Sequence, residues 1–238
     1  MLTIVKDSEV RQGGKIQEEA VAYAKLIGKS TAVQLTQNFE PDDFPVSVYM
    51  AGSPGAGKTE SAKRLIEERG GGVLHIDPDA YRAYFPNYDG SNSYLFNRAV
   101  TVLAEKIHDR ALERSLNYIF DSTLCDTQKA ELNITRCLKR SRKVIILYVY
   151  QDPKQAWEFV TEREQKEGRH IAKNVFIEKF FSARASIESL KARFGSDIQI
   201  DVLLKNIRDG KQDYHSNISN IDSFIGQTYT ESDLHNIL

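Results

Sequence analysis

Cysteine, methionine and tryptophan are scarce in this chain of 238 residues, at two, two and one copies. The two cysteines, Cys125 and Cys137, have no CxxC spacing and no paired-histidine pattern around them, so they read as reduced thiols and exclude a disulfide framework or a zinc site. Neither charge is in excess. Thirty-two Lys and Arg stand against 33 Asp and Glu, a net charge of -1, so nothing global attracts a polyanion and nucleic acid is not an expected partner. No apolar run approaches the roughly 20 residues a membrane span needs. The first ten residues, MLTIVKDSEV, carry acidic groups and no long apolar stretch, unlike a secretory leader. A soluble, cytoplasmic protein with no membrane partner is expected. Internal repeats and low-complexity tracts are lacking too. What remains is 41% hydrophobic and 27% charged, an ordinary globular composition long enough to fold without staples.

Apolar periodicity divides the chain. Ile16, Ala20, Ala24 and Leu26 predict an amphipathic helix, or two short ones, over 14–36, which would pack on the protein's own sheet or meet a partner. The run VSVYMA at 46–51 reads as a buried strand, 58–68 as a helix, 73–76 as a second strand, and Asp77-Pro78-Asp79 as a helix start. Phe96, Val100, Leu103, Ile107 and Ala111 predict a helix over 94–116; strands at 118–122, 144–150 and 198–204 and helices at 126–140, 153–167 and 174–193 complete the pattern. Alternating strands and helices imply a three-layer α/β fold with a mostly parallel central sheet and helices on both faces. The phosphate-binding motif at 52–59 and the helix break at 167–170 make the expectation a P-loop kinase-like fold with a helical lid. The division is a single domain: a helical extension at 1–45, a core at 46–205, and a polar tail at 206–238 to which the pattern assigns no structure.

Chemistry concentrates where such sheets bind ligands, at the carboxyl ends of their strands. Gly52-Ser53-Pro54-Gly55-Ala56-Gly57-Lys58-Thr59 matches GxxxxGK[ST] between a predicted strand and a predicted helix, and with Glu60 forms the expected ATP-binding segment. Its glycines let backbone N–H groups turn toward phosphate, Lys58 adds a mobile charge, and Thr59 offers a hydroxyl to magnesium. Asp77 suits an N-cap with Pro78 at the first helical position. Asp79 follows, either complementing the helix dipole or accepting a substrate hydroxyl proton. Asp121 ends the third strand, as a metal-supporting carboxylate or as a turn residue. Arg163 lies near the end of one helix and Arg169 in the break Glu167-Gly168-Arg169-His170 after the fourth strand, where a lid carries guanidinium groups over a transferring phosphoryl. The basic run Arg136, Lys139, Arg140, Arg142, Lys143 reads as a solvated helix end, Trp157 and Phe180-Phe181 as core, and His75 as a satisfied core histidine.

Four segments, GSPGAGKTE, HIDPDAYRAYFPNY, FDST and TEREQKEGRHIAKNVF, resemble in order the zeta toxin family of toxin–antitoxin kinases, from about Val46 to Phe194. The resemblance implies that Lys58 and Thr59 bind ATP phosphates and magnesium, and that Asp79 is the base. It further implies that Arg82, Asp121 and Thr123 line the substrate and metal site and that Arg163 and Arg169 stabilise phosphate. It implies transfer to the 3'-hydroxyl of the amino sugar in UDP-N-acetylglucosamine, and a small antitoxin partner. The chain departs from that pattern at three places. Phe85-Pro86 stands for a His-Pro pair, Asp121 for a glutamate, and Leu124-Cys125 where a basic residue often follows the threonine; each bears on substrate recognition more than on ATP. Beside this reading stand a kinase for another nucleotide-linked compound or a nucleic-acid end, and a nucleotide-binding interaction protein without transfer.

Overall fold

Apolar runs too short to be helices become strands, and the amphipathic stretches between them become the crossovers. The structure, a computed structural model, describes residues 7–206, 211–226 and 228–238. In chain order the elements are α1 (Asp7–Thr36), β1 (Val46–Ala51), α2 (Lys58–Glu68), β2 (Leu74–Ile76), α3 (Asn97–Glu113), β3 (Tyr118–Phe120), α4 (Thr127–Leu138) and β4 (Lys143–Gln151). Then follow α5 (Pro153–Glu167), α6 (Lys173–Phe194), β5 (Ile198–Asn206), β6 (Lys211–His215) and α7 (Glu231–Ile237).

The strands form one sheet in the order β2-β3-β1-β4-β5-β6, parallel except for β6, which runs antiparallel to β5. Since β1 lies between β3 and β4 and its own crossover leads outward to β2, the loop after β1 opens at the point where the strand order reverses. One sheet face buries Tyr49, Ile76, Tyr118, Ile146 and Val202 beneath α1, α3, α4 and α6; the other buries Met50, Ile119, Leu147 and Val149 with α2. Helices thus cover both faces, as expected of a mostly parallel α/β sheet, but unequally.

Several elements differ from the sequence expectations. Residues 7–36 form one helix of 30 residues, the first of the two expected alternatives, but it starts seven residues before the expected position 14. It lies along α3, burying Ala20, Ala24 and Ala32, and at Gly28 the two helices are so close that a Cβ would stand 3.0 Å from Lys106 Cγ. Asp77-Pro78-Asp79 opens only a 3-10 segment, Ala80–Tyr84, in place of an α-helix; the Asp77 Oδ1 accepts from the N–H groups of Asp79 (2.9 Å) and Ala80 (3.4 Å), so its capping role holds over a shorter element. A second 3-10 segment, Ser93–Phe96, precedes α3.

The basic run is not uniformly solvated. Arg142 is 3% exposed, donating from Nε to Ser47 Oγ (2.7 Å) and from Nη2 to the carbonyls of Leu116 and Val46 (3.3 Å), over the ring of Tyr118. It ties together the amino ends of three strands, a role that composition alone does not reveal. The tail, too, is folded where it is described. Beyond β6, Ile218, Ile221 and Ile225 are buried, and α7 begins at a capping box in which Thr230 and Asp233 satisfy each other's backbone N–H. Leu234 of α7 sits among Ala156, Val160, Phe176 and Ile177, so the tail plugs the root of the α5–α6 pair. The Tyr229 hydroxyl bonds Asp152 Oδ2 (3.0 Å) at the start of α5, and Lys173 Nζ donates to His235 O (2.8 Å).

Candidate active site

The site grows from the turn between β1 and α2. Gly52 has φ 136° and a Cβ there would lie 2.4 Å from Val149 O, while at Gly55, with φ 73°, it would lie 2.0 Å from Ala156 O. Only glycine fits at either position. Ser53, Pro54 and Ala56 are buried in the turn, Gly57 is its left-handed N-cap, and Glu60 is exposed in the first turn of α2. Lys58 folds over the loop, its Nζ donating to the carbonyls of Gly52 (3.0 Å) and Ser53 (2.7 Å). Burial pulls the Lys58 ammonium down to about 8, opposed in part by Asp121.

The ends of β2 and β3 supply carboxylates to the same edge. Asp121 extends the ladder through its N–H to Ile76 O (2.8 Å) and is only 7% exposed. The Thr59 hydroxyl donates to Asp121 Oδ2 at 2.6 Å, joining the phosphate loop to the third strand. Alternation places His75 and Asp77 on the face shared by Ile119 and Asp121. His75 Nε2 is enclosed and makes no hydrogen bond among the described residues, lying 3.6 Å from Asp121 Oδ2; it is therefore not the satisfied core histidine expected from sequence. Burial, and then the carboxylates of Asp121 and Asp79, push the Asp77 carboxyl up.

Asp79 is the electrostatic centre. Arg82 pairs with its Oδ1 and Arg169 with its Oδ2, while Arg163 Nη2 approaches Oδ2 to 3.8 Å. Burial alone would raise this carboxyl, but Arg169 and Arg82 outweigh it and hold it well below the usual carboxylate range. The three arginines are not equivalent. Arg82 is buried and also donates to Asn97 Oδ1 (2.9 Å), so it belongs to the wall; Arg169 comes from the 168–172 turn between α5 and α6; Arg163 is 47% exposed and shares itself with Glu167 (2.7 Å). The turn rests on a second glycine-bearing loop, where a Cβ on Gly90 would lie 2.5 Å from Glu167 O.

Beyond Asp121, Ser122, Thr123, Leu124 and Cys125 line a cavity of about 180 Å³ with Pro78 and Lys129. Thr123 accepts, through its carbonyl, the Gly52 N–H (3.4 Å). Of the three departures from the family pattern, Asp121 and Leu124-Cys125 stand at this edge. Phe85 does not: its ring is buried against Tyr23 and Phe96, so the residue that stands for the family's histidine belongs to the core.

Two residues escaped the sequence reading. Asn97 orients Arg82, and Lys205, near the end of β5, donates to Gly57 O at 2.8 Å beneath the phosphate loop. Only Lys205 had a signal, as a charged residue at the carboxyl end of a parallel strand.

A protein-family model described as Zeta toxin matches residues 30–219. Among curated proteins, toxin zeta of Enterococcus hirae is 34% identical over 56 residues, and toxin zeta of Streptococcus agalactiae 36% identical over 56 residues. Each match spans 24% of this chain and only 20% of the relative's length. Among solved structures, a chain from the PezAT chromosomal toxin–antitoxin system of Streptococcus pneumoniae superposes with a TM-score of 0.68 at 16% identity, covering 93% of this chain and 95% of that one. A chain of the AvrRxo1-ORF1:-ORF2 complex with ATP superposes at 0.58 and 15% identity, covering 88% and 70%. These likenesses bear on the fold.

Proposed function

The chain belongs to the zeta toxin family, and from that premise we propose that it is an ATP-dependent kinase, the toxic member of a toxin–antitoxin pair, acting on an alcohol group. The observation that carries the reading is the convergence on Asp79. A carboxylate at the sheet's carboxyl edge, facing the phosphate loop, is held by two lid arginines and one wall arginine. A nucleotide cradle alone has no use for such a group; a transferase needs a base beside the phosphates.

In this reading the loop 52–59 and Lys58 hold the phosphates of ATP, with Glu60 beside them. Thr59 and Asp121 fit a Mg²⁺ ion, since a hydroxyl and a carboxylate already meet there at 2.6 Å. The ion, when bound, neutralises charge on the phosphate oxygens. Arg163 and Arg169 turn from Asp79 to the equatorial oxygens of the moving phosphoryl, where planar guanidinium donors match spreading charge. Asp79, released, takes the acceptor's hydroxyl proton. Arg82 and Thr123 line the acceptor's side. Closure of the 168–172 turn excludes water that would otherwise hydrolyse ATP.

UDP-N-acetylglucosamine, at the 3'-hydroxyl of its amino sugar, is the acceptor the family likeness supports, with a small antitoxin as partner. A second acceptor of nucleotide-linked type is favoured by one observation: in the cavity beside Asp121, Leu124 and Cys125 stand where the family often has a basic residue, and the positive charge comes from Lys129 on α4. The test is transfer from γ-labelled ATP with magnesium to UDP-N-acetylglucosamine beside a panel of nucleotides, with Lys58→Ala as control. Label on the sugar nucleotide is expected. Label on another compound keeps the kinase and replaces the acceptor, and no transfer with intact ATP binding sinks the kinase reading.

A further inference from the structure

The orphaned imidazole of His75 is the feature the transfer chemistry leaves unused. β2 sends Leu74 and Ile76 into the core, and the residue between them faces the α2 side, where Ile119 is its partner in register and an apolar side chain would pack. The chain has a histidine instead. Its Nε2 is sealed from solvent and has no hydrogen-bond partner among the described residues; ligand atoms of His75, Asp77 and Asp121 lie within 4.8 Å of one another, with His75 Nε2 and Asp121 Oδ2 3.6 Å apart. A buried ring nitrogen without a partner calls for an occupant.

We propose that His75, Asp77 and Asp121 form a site for a first-row transition-metal dication, with His75 as its nitrogen ligand. Bonds of about 2.1 Å put neighbouring donors about 3 Å apart and opposed donors about 4.2 Å apart, so this cluster closes on an ion with shifts below an ångström. The donor set decides the metal class. Mg²⁺ seeks oxygen ligands and keeps its waters, whereas an imidazole beside carboxylates favours Mn²⁺, Fe²⁺, Co²⁺ or Zn²⁺. Asp121 is shared with Thr59, so an ion here sits at the phosphate side of the cleft. The inference rests on the reading of that edge as the metal side of a kinase, but its test uses no ATP and no acceptor.

Mn²⁺ alone is titrated into the nucleotide-free full chain, with electron paramagnetic resonance following the free ion and spin-echo modulation detecting ¹⁴N bound to it. The expected result is one bound Mn²⁺ with an imidazole ¹⁴N signal, poorly displaced by equimolar Mg²⁺. His75→Gln removes that signal and weakens binding at least tenfold at an unchanged melting temperature. Should His75→Gln not fold, Asp77→Asn decides, weakening binding about tenfold while the ¹⁴N signal persists. Absence of ¹⁴N modulation in the wild-type protein, unchanged affinity in these variants, or ready displacement by Mg²⁺ overturns the proposal. A chain that binds Mn²⁺ through His75 yet transfers no phosphate sinks the kinase reading and leaves this one standing.

Discussion

The two ends of one parallel sheet handle buried charge in opposite ways. At the amino end a single guanidinium, Arg142, donates from Nε and Nη2 to a hydroxyl and two carbonyls and is sealed at 3% exposure, its Nη1 enclosed without a partner among the described residues. At the carboxyl end the ratio is inverted, since one carboxylate, Asp79, is approached by Arg82, Arg163 and Arg169 and remains 34% exposed. Neutral acceptors leave a cation nothing better to do, so Arg142 locks the strands. Competing cations around one anion are a reserve, because a ligand bearing more negative charge draws them away. The same residue type is thus a rivet at one end and a movable part at the other.

That contrast is broken most directly at Asp79. Asp79→Asn is expected to slow transfer about 10² to 10⁴-fold, the range of a lost general base, while ATP binding is kept or tightened because the arginines are freed. Transfer near the wild-type rate would remove Asp79 from the chemistry. The opposite signature is expected for Arg142→Met, which leaves buried carbonyls unpaired. A loss of about 2–4 kcal/mol, seen as a fall in melting temperature of roughly 5–15 °C, should accompany unchanged transfer per folded molecule. If activity falls while the melting temperature holds, the two ends are not separate devices.

The pH dependence of nucleotide binding sharpens the comparison. Lys58 titrates at about 8 in the free protein, below its ordinary 10.5, and phosphate binds the protonated amine. ATP affinity should be flat below pH 8 and fall about tenfold per unit above it. About half a proton should be taken up per ATP at pH 8, measurable by calorimetry in buffers of different ionisation enthalpy. In the free protein the sign reverses. The unfolded chain holds the Lys58 proton up to 10.5, so this group's contribution to stability rises with pH between about 8 and 10.5. The smallest effect is expected at the cap of α7: Thr230→Ala should cost about 1 kcal/mol, speed amide exchange in α7 roughly fivefold and leave transfer per folded molecule unchanged.

How much was legible follows from the range of the interactions. β1, α2 and the phosphate loop were read almost to the residue, because strand, glycine turn and helix are dictated by neighbours in sequence. Asp121 was placed at the correct edge by strand counting alone. Arg142 was misread because its partners, Ser47 and Leu116, are 95 and 26 residues away and no local pattern announces them. His75 was read as core because alternation gives a side chain's direction and not whether its ring nitrogen finds a donor or acceptor. The tail was misleading in another way: its buried Ile218, Ile221 and Ile225 are spaced by three and four among Asn and Ser, as in a helix, yet the segment folds as bends and turns on the core. Phe85 stands where the family resemblance has a histidine, and its packing against Tyr23 places it in the core, which no local pattern announces.

The plug formed by Leu234 also sets an order of assembly during synthesis. The cradle at 52–59 leaves the ribosome early, the two helices bearing the lid follow, and the residue that wedges their root emerges 40 positions after the end of α6. Throughout that interval Asp152 lacks its bond from Tyr229 and Lys173 its bond to His235. A nascent chain therefore owns a finished nucleotide cradle before it owns a braced lid.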